Sequence, residues 1–323
     1  MNKILVSASY YDTLGREAWE LLEDNGYEVI YNPEKKFPSY STEEIEALPD
    51  KEEIIAALIG MDDYRDERKY QLLPNLKVVT KFGVGVDNID GELARKYGVK
   101  ACNAPGQNSN AVAELTVCFM INMLRRVVSV HKKMETGEWD RSQGNEVKGK
   151  TIGLLGFGAI AKLVAKKLQT WDVNIIAYDL YPNEKAAQEL GVRMTTQEEV
   201  ITASDIVSIH IPATPDTYHM FNKETIASMK DGAYLINAAR GALVDLDDLV
   251  EALNSGKLAG AALDAFEVEP LPADAEIFKC PNIVVAPHIG AETFEAYHNV
   301  SMATAQDFVR VIKGEDPVFW VNR

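Results

Sequence analysis

Cysteine is scarce. The 323-residue chain holds three, Cys102, Cys118 and Cys280, an odd number without metal-ligand spacing, which argues against both a disulfide framework and a metal site. They read as reduced, buried side chains of a cytoplasmic protein. Positive charge is also short, with 33 Lys and Arg against 49 Asp and Glu and a formal net charge of -16. Such a field repels phosphate backbones at long range and makes nucleic acid a poor partner. No apolar run approaches the roughly 18 residues of a membrane span. Met1-Asn2-Lys3 precedes only a short apolar stretch before Tyr10-Tyr11-Asp12, so neither signal peptide nor membrane anchor is read.

What is present is an ordinary globular balance, 46% hydrophobic and 25% charged, in a chain about twice the usual single-domain length of about 150 residues. Short β-branched runs alternate with amphipathic stretches from the start, at Ile4 to Ser7, Glu28 to Tyr31, Ala56 to Ile59, Lys77 to Thr80 and Val99 to Cys102. This alternation predicts a parallel sheet covered by helices. Asn108 to about Lys132 carries apolar residues at helical spacing (Val112, Leu115, Phe119, Met120, Met123, Leu124, Val127) and reads as one long helix bridging two domains. A second strand-helix series begins at Lys150 and contributes about six strands, the size of a dinucleotide-binding sheet. Phe294 to Ile312 is again helical, ends at Gly314 and Pro317, and is expected to pack back on the first domain, making that domain discontinuous.

The stretch Thr151 to Leu155 runs into Gly156-Phe157-Gly158-Ala159-Ile160-Ala161, a buried strand, a glycine turn and a helix. Gly156 permits the tight turn and Gly158 lets the backbone approach a pyrophosphate at the helix N-terminus. A glycine turn alone is weak, because such turns also occur without a ligand. Asp179, about twenty residues on at the end of the next strand, strengthens it, since a carboxylate there accepts hydrogen bonds from an adenosine ribose. The same charge repels a 2'-phosphate, and Leu180-Tyr181 offer no arginine to receive one, so NAD is favoured over NADP.

Three further strands end at Arg240, near Glu269 and at His288, where ligands bind in parallel sheets. Arginine supplies a permanent bidentate cation for a carboxylate, and a histidine oriented by a carboxylate supplies a proton donor. Each residue alone has a plainer reading: Arg240 as a surface ion pair, Glu269 as a turn residue beside Pro270, His288 as a helix cap. Together, downstream of the cofactor motif, they suit a 2-oxo acid. His131, His210, His219 and His298 lack a matched partner in sequence, although His210-Ile211-Pro212 lies at a strand end that borders the cofactor in this reading.

These blocks, with Gly83 to Asp90, Asn103 to Gly106, Asn110 to Glu114, Leu263 to Phe266 and Pro287 to Ala291, resemble the D-isomer-specific 2-hydroxyacid dehydrogenases over nearly the whole chain. The pattern is most similar to phosphoglycerate dehydrogenase-like members without a regulatory domain. The resemblance implies an α/β fold of two doubly wound parallel-sheet domains. A Rossmann NAD domain, residues 103–290, would be inserted in a discontinuous flavodoxin-like substrate domain, residues 1–102 and 291–323. It implies Arg240 as substrate anchor, His288 as acid/base, and Glu269 as the partner holding His288 protonated. Lys81, Val84 and Gly85 then contact substrate, and Gly156, Gly158, Ala159, Ile160, Asp179, Pro212, Thr217, Ala238, Asp264 and Gly290 contact NAD, with Asp264 near the nicotinamide amide. The implied activity is hydride transfer between NAD and a small D-2-hydroxy acid or 2-oxo acid in a cytoplasmic homodimer. Glu269 argues against the formate-oxidising branch, where a glutamine stands. Lys81 and Arg141 match cations that the phosphoglycerate branch places for a substrate phosphate, but Gly60 stands where that branch tends to have arginine. The substrate stays open between phosphoglycerate dehydrogenase proper, acting on 3-phosphohydroxypyruvate, and unphosphorylated acids. A reading of a different class is an NAD-sensing, corepressor-like binding protein.

Overall fold

The computed structural model describes residues 2–34 and 39–323. The chain divides into two compact units, residues 1–109 with 291–323, and residues 110–290.

The first unit carries β1 (Lys3–Val6), α1 (Arg16–Asp24), β2 (Glu28–Ile30), α2 (Thr42–Ala47), β3 (Ile54–Ile59), α3 (Glu67–Leu72), β4 (Val78–Lys81), α4 (Gly91–Lys96) and β5 (Lys100–Cys102). Its five strands are parallel in the order β2-β1-β3-β4-β5. β3, Ile-Ile-Ala-Ala-Leu-Ile, is buried along its whole length, as expected of a central strand covered on both faces. α2 begins with a capping box, in which the Ser41 hydroxyl accepts from Glu44 N (3.2 Å) and the Glu44 carboxylate from Ser41 N (2.8 Å).

The second unit holds α5 (Ser109–Arg125, whose first residue falls in the first unit), α6 (Val127–Glu135), β6 (Thr151–Leu155), α7 (Ala159–Leu168), β7 (Asn174–Tyr178), α8 (Glu184–Leu190), β8 (Val192–Met194), α9 (Gln197–Ala203), β9 (Ile206–Ile209), α10 (Lys223–Ser228), β10 (Ala233–Asn237), α11 (Leu246–Asn254), β11 (Leu258–Leu263) and β12 (Ile283–Val285). Its strands are parallel in the order β12-β11-β10-β9-β6-β7-β8. Strand order reverses between β6 and β9, and in open parallel sheets ligands bind beyond the carboxyl ends of the strands at such a point.

α12 (Phe294–Ile312) returns to the first unit. Its Ala305, Phe308 and Val311 pack with Ile4, Val6, Leu58 and Val78 on one face of the five-stranded sheet. Asn322, 6% exposed, fastens the tail: its amide carbonyl accepts from Ala101 N (2.8 Å), and its amide nitrogen donates to Gly91 O (3.1 Å) and Val99 O (3.0 Å).

Three sequence expectations need correction. The long helix is broken at Arg126, which is left-handed at φ 56°. Leu124's carbonyl, which an unbroken helix would offer to Val128, instead accepts from Asn145 N (2.8 Å), while Val128 N donates to the Asn122 side chain (3.2 Å). Val127 is consequently 49% exposed rather than core. The nucleotide-type sheet has a seventh strand, the short edge β8. Finally, Cys102 and Cys280 are buried but Cys118 is exposed.

Candidate active site

The glycine turn is built by close backbone approach. Gly156 is left-handed (φ 95°), and a Cβ there would lie 2.6 Å from His210 O at the end of β9, so only glycine lets the β6 and β9 termini close up. Asp179, at the end of β7, reaches into the turn: one carboxylate oxygen accepts from Phe157 N (2.7 Å), the other from Tyr181 N (2.8 Å). At the N-terminus of α7, Gly158 has no side-chain cap, the first turn carries no acidic residue, and a Cβ on Gly158 would meet nothing within 4 Å. Uncapped amides facing open space suit a pyrophosphate, which the helix end attracts. The residues present therefore fit a dinucleotide, with Ala159 and Ile160 in the first turn.

The loop after β9 carries Pro212 and Thr217. The Thr217 hydroxyl accepts from Thr214 N (2.8 Å) and donates to Pro212 O (2.9 Å), holding the loop in shape. At the end of β9, burial pushes the His210 imidazole down to about 4, leaving it neutral, with its Nε2 3.0 Å from the Ser208 hydroxyl.

β10 ends at the buried Asn237, whose side chain donates to Arg240 O (2.8 Å) and accepts from Ala239 N (3.1 Å), shaping the Ala238-Ala239-Arg240 turn. One guanidinium nitrogen of Arg240 donates to Ala239 O (2.8 Å). A Cβ on the adjacent Gly241 would overlap the backbone of Phe266 and Glu267, so this glycine lets the loops after β10 and β11 touch.

Glu269 and His288 come together. His288 Nδ1 lies 2.9 Å and 3.1 Å from the two Glu269 carboxylate oxygens, and Glu269 also accepts from Phe266 N (2.9 Å). His288 is left-handed (φ 57°), with its side chain half exposed. Asp264, 2% exposed, accepts from Ile289 N (2.8 Å) and Gly290 N (2.7 Å). Burial raises its pKa and those two amides partly oppose the shift. Its carboxylate thus holds the loop that presents His288.

In the first unit, Ser7 and Gly60 stand just beyond the ends of β1 and β3, where that sheet's order reverses. Lys81, at the end of β4, donates its ammonium to Gly60 O, which also accepts from the Asn88 side chain (3.1 Å). The following loop is tied by Ala104 N to Gly83 O (2.7 Å) and by the Asn103 side chain to Val84 O (2.7 Å), leaving Val84 40% exposed. Arg141 is exposed on the polar loop after α6.

The histidines without an evident sequence partner do have partners. His131 pairs with Glu135 (3.5 Å) and His298 with Glu17 (3.8 Å). His219 lies between two carboxylates, Asp245 (3.1 Å) and Glu267 (3.0 Å). The signal was invisible in the chain because those partners sit on two other loops. Among the described residues no helix is long and apolar enough to cross a membrane.

Residues 117–290 match the family model described as D-isomer specific 2-hydroxyacid dehydrogenase, NAD binding domain. The chain is 40% identical over 303 residues to a glyoxylate reductase of Thermofilum pendens, covering 92% of this chain and 88% of the relative. It is 35% identical over 314 residues to a D-3-phosphoglycerate dehydrogenase of Archaeoglobus fulgidus, covering 97% of this chain but only 58% of that longer protein. Its fold matches a D-lactate dehydrogenase of Lactobacillus jensenii solved with NAD+, at TM-score 0.82 and 28% identity over the whole of both chains. The glycine turn with its acid, the parallel sheet and these likenesses agree: the chain belongs to the D-isomer-specific 2-hydroxyacid dehydrogenases and is an NAD-dependent oxidoreductase of that family.

Proposed function

We propose that the enzyme interconverts a small, unphosphorylated 2-oxo acid and its D-2-hydroxy acid, with His288 as acid/base, Glu269 as its orienting partner and Arg240 as substrate anchor. The observation that carries this reading is the His288–Glu269 pair at 2.9 Å beyond the carboxyl end of β12, in the same sheet as the glycine turn. With Nδ1–H given to the carboxylate, Nε2 is left for the reacting oxygen: the doubly protonated ring delivers its Nε2 proton to the developing alkoxide, and the Nδ1–H tautomer left behind takes one up in the reverse direction. Bound NAD supplies or accepts the hydride. Arg240 offers a planar fork to the substrate carboxylate and a positive charge to the oxygen that becomes negative. Val84 and Gly85 belong to the same proposal, as backbone contacts for a substrate carboxylate. The remaining NAD-contact assignments, Pro212, Thr217, Ala238, Asp264 and Gly290, belong to the same proposal.

Two observations favour an unphosphorylated acid. A side chain at position 60 would meet Ser7 O at 2.9 Å, so the chain has no room there for a phosphate-reading arginine without a backbone shift. Lys81 already directs its ammonium to the Gly60 carbonyl. The similarity to a glyoxylate reductase along most of both chains supports glyoxylate. The specific observation favouring 3-phosphohydroxypyruvate is the position of Lys81 beside Gly60, where the order of the first sheet reverses. NADH oxidation against glyoxylate, hydroxypyruvate, pyruvate and 3-phosphohydroxypyruvate, with the product's configuration read by chiral chromatography, decides. The expected result is a D-product, or achiral glycolate from glyoxylate, with the unphosphorylated acids at least tenfold ahead in kcat/KM. A preference for the phosphorylated acid would overturn this choice.

Asp179→Ala is expected to raise the NADH dissociation constant by about tenfold or more and to narrow the preference over NADPH, since it removes a charged acceptor that also holds the turn at Phe157. Fluorescence titration of both cofactors measures this, and unchanged affinities would remove Asp179 from the ribose role. A homodimer in the cytoplasm is the proposed state. Exposed Val127 and Met134 on α6 and three free thiols support it.

A further inference from the structure

Outside the residues assigned to the reaction, His219 is a heavily engaged titratable side chain near these strand ends. Its Nδ1 lies 3.1 Å from Asp245 and its Nε2 3.0 Å from Glu267. The Glu267 contact is a hydrogen bond, and Asp245 places a second carboxylate against the other ring nitrogen. Tyr218 stacks on the ring at 4.0 Å and donates its hydroxyl to the other Glu267 oxygen (2.9 Å). Asp245, Glu267 and Tyr218 are the titratable groups whose contacts with this ring define the cluster. The hydrogen bonds to His219 and Tyr218 hold the Glu267 carboxyl below its usual range.

The cluster joins three loops, each carrying one part of the site. His219 N donates to Ala242 O (2.8 Å) and Asp245 N to Phe221 O (3.0 Å), lacing the Thr217 loop to the Arg240 loop. Asp245 is at the same time the N-cap of α11, a firm anchor. Glu267 lies two residues before Glu269 in the turn closed by Phe266 N and the Glu269 carboxylate, and Gly241 is pressed against that same turn. The non-glycine left-handed backbone at His219 (φ 46°) persists because these contacts over-determine it.

We infer that His219 is a positioning residue of the reaction: by clamping Glu267 against the anchored Asp245, it sets the place of Glu269 and hence of His288. The inference rests on the catalytic reading of Glu269 and His288 given above. A misplacement of about 1 Å in a catalytic group costs on the order of a hundredfold, so loss of the clamp is expected to lower kcat roughly ten- to a hundredfold while leaving NADH affinity within about twofold.

The test is a double-mutant cycle on the full chain, with kcat read by NADH oxidation on whichever of glyoxylate, hydroxypyruvate and 3-phosphohydroxypyruvate is reduced fastest. His219→Asn tolerates the left-handed backbone but is too short to bridge both carboxylates, and Glu267→Gln breaks the clamp from the other side without touching that backbone. Each is expected to lower kcat alone and to add little in a Glu269→Gln background, because both act through Glu269. A purely structural role predicts losses that multiply with that of Glu269→Gln, and this outcome overturns the inference, as does wild-type kcat in both single variants. If Glu269→Gln and His288→Gln themselves keep wild-type turnover, the catalytic reading falls first.

Discussion

His288→Gln is expected to reduce kcat by about two to four orders of magnitude while the NADH dissociation constant stays within about twofold. The residue follows β12 on a loop held by the buried Asp264 through Ile289 N and Gly290 N, so the substitution removes the proposed proton donor and leaves the loop's anchor in place. Glutamine preserves approximate size and a donor for Glu269 but cannot act as an acid or base at neutral pH. Stopped-flow oxidation of bound NADH, with a thermal melt to confirm folding, separates lost chemistry from lost structure. More than about a tenth of wild-type turnover would take His288 out of its assigned role.

Arg240→Ala should be comparably severe and should act on kcat/KM, with a loss of roughly a hundred- to a thousandfold. One guanidinium nitrogen donates to Ala239 O at 2.8 Å, which restricts how the proposed fork can turn. Lysine retains charge without that fork or planarity. Arg240→Lys is therefore expected to recover only part of the loss, and mainly in KM. Equal activity of the lysine variant and the parent would show that charge alone suffices and would refute the bidentate anchor.

The cofactor turn was legible because every part of it is local or about twenty residues apart: strand, Gly156, Gly158 and Asp179 follow one another in the order that a parallel βαβ unit requires. The ends of β10, β11 and β12 were legible for the same reason, since charged residues interrupt buried apolar runs. β8 was missed because three residues, Val192-Arg193-Met194, carry too little pattern. The break at Arg126 was hidden because no glycine or proline marks it. It goes with Asn145, in the polar loop after α6, whose N–H takes the carbonyl of Leu124. His219 was unreadable on similar grounds, for Glu267 is 48 residues away and the loops are brought together by sheet order, which no single stretch encodes.

The return of α12 to the first sheet bears on how the chain is made. The second unit is one uninterrupted stretch, residues 110–290, whereas the first is completed only by residues 291–323. A ribosome adding about 5–20 residues per second places on the order of 10–40 s between β5 and α12. Throughout that interval the face formed by Ile4, Val6, Leu58 and Val78 lacks the cover that Phe308 and Val311 later provide. Of the two units, the one that enters synthesis earlier therefore gains its last packing element later, and chains paused within the inserted unit expose that apolar face.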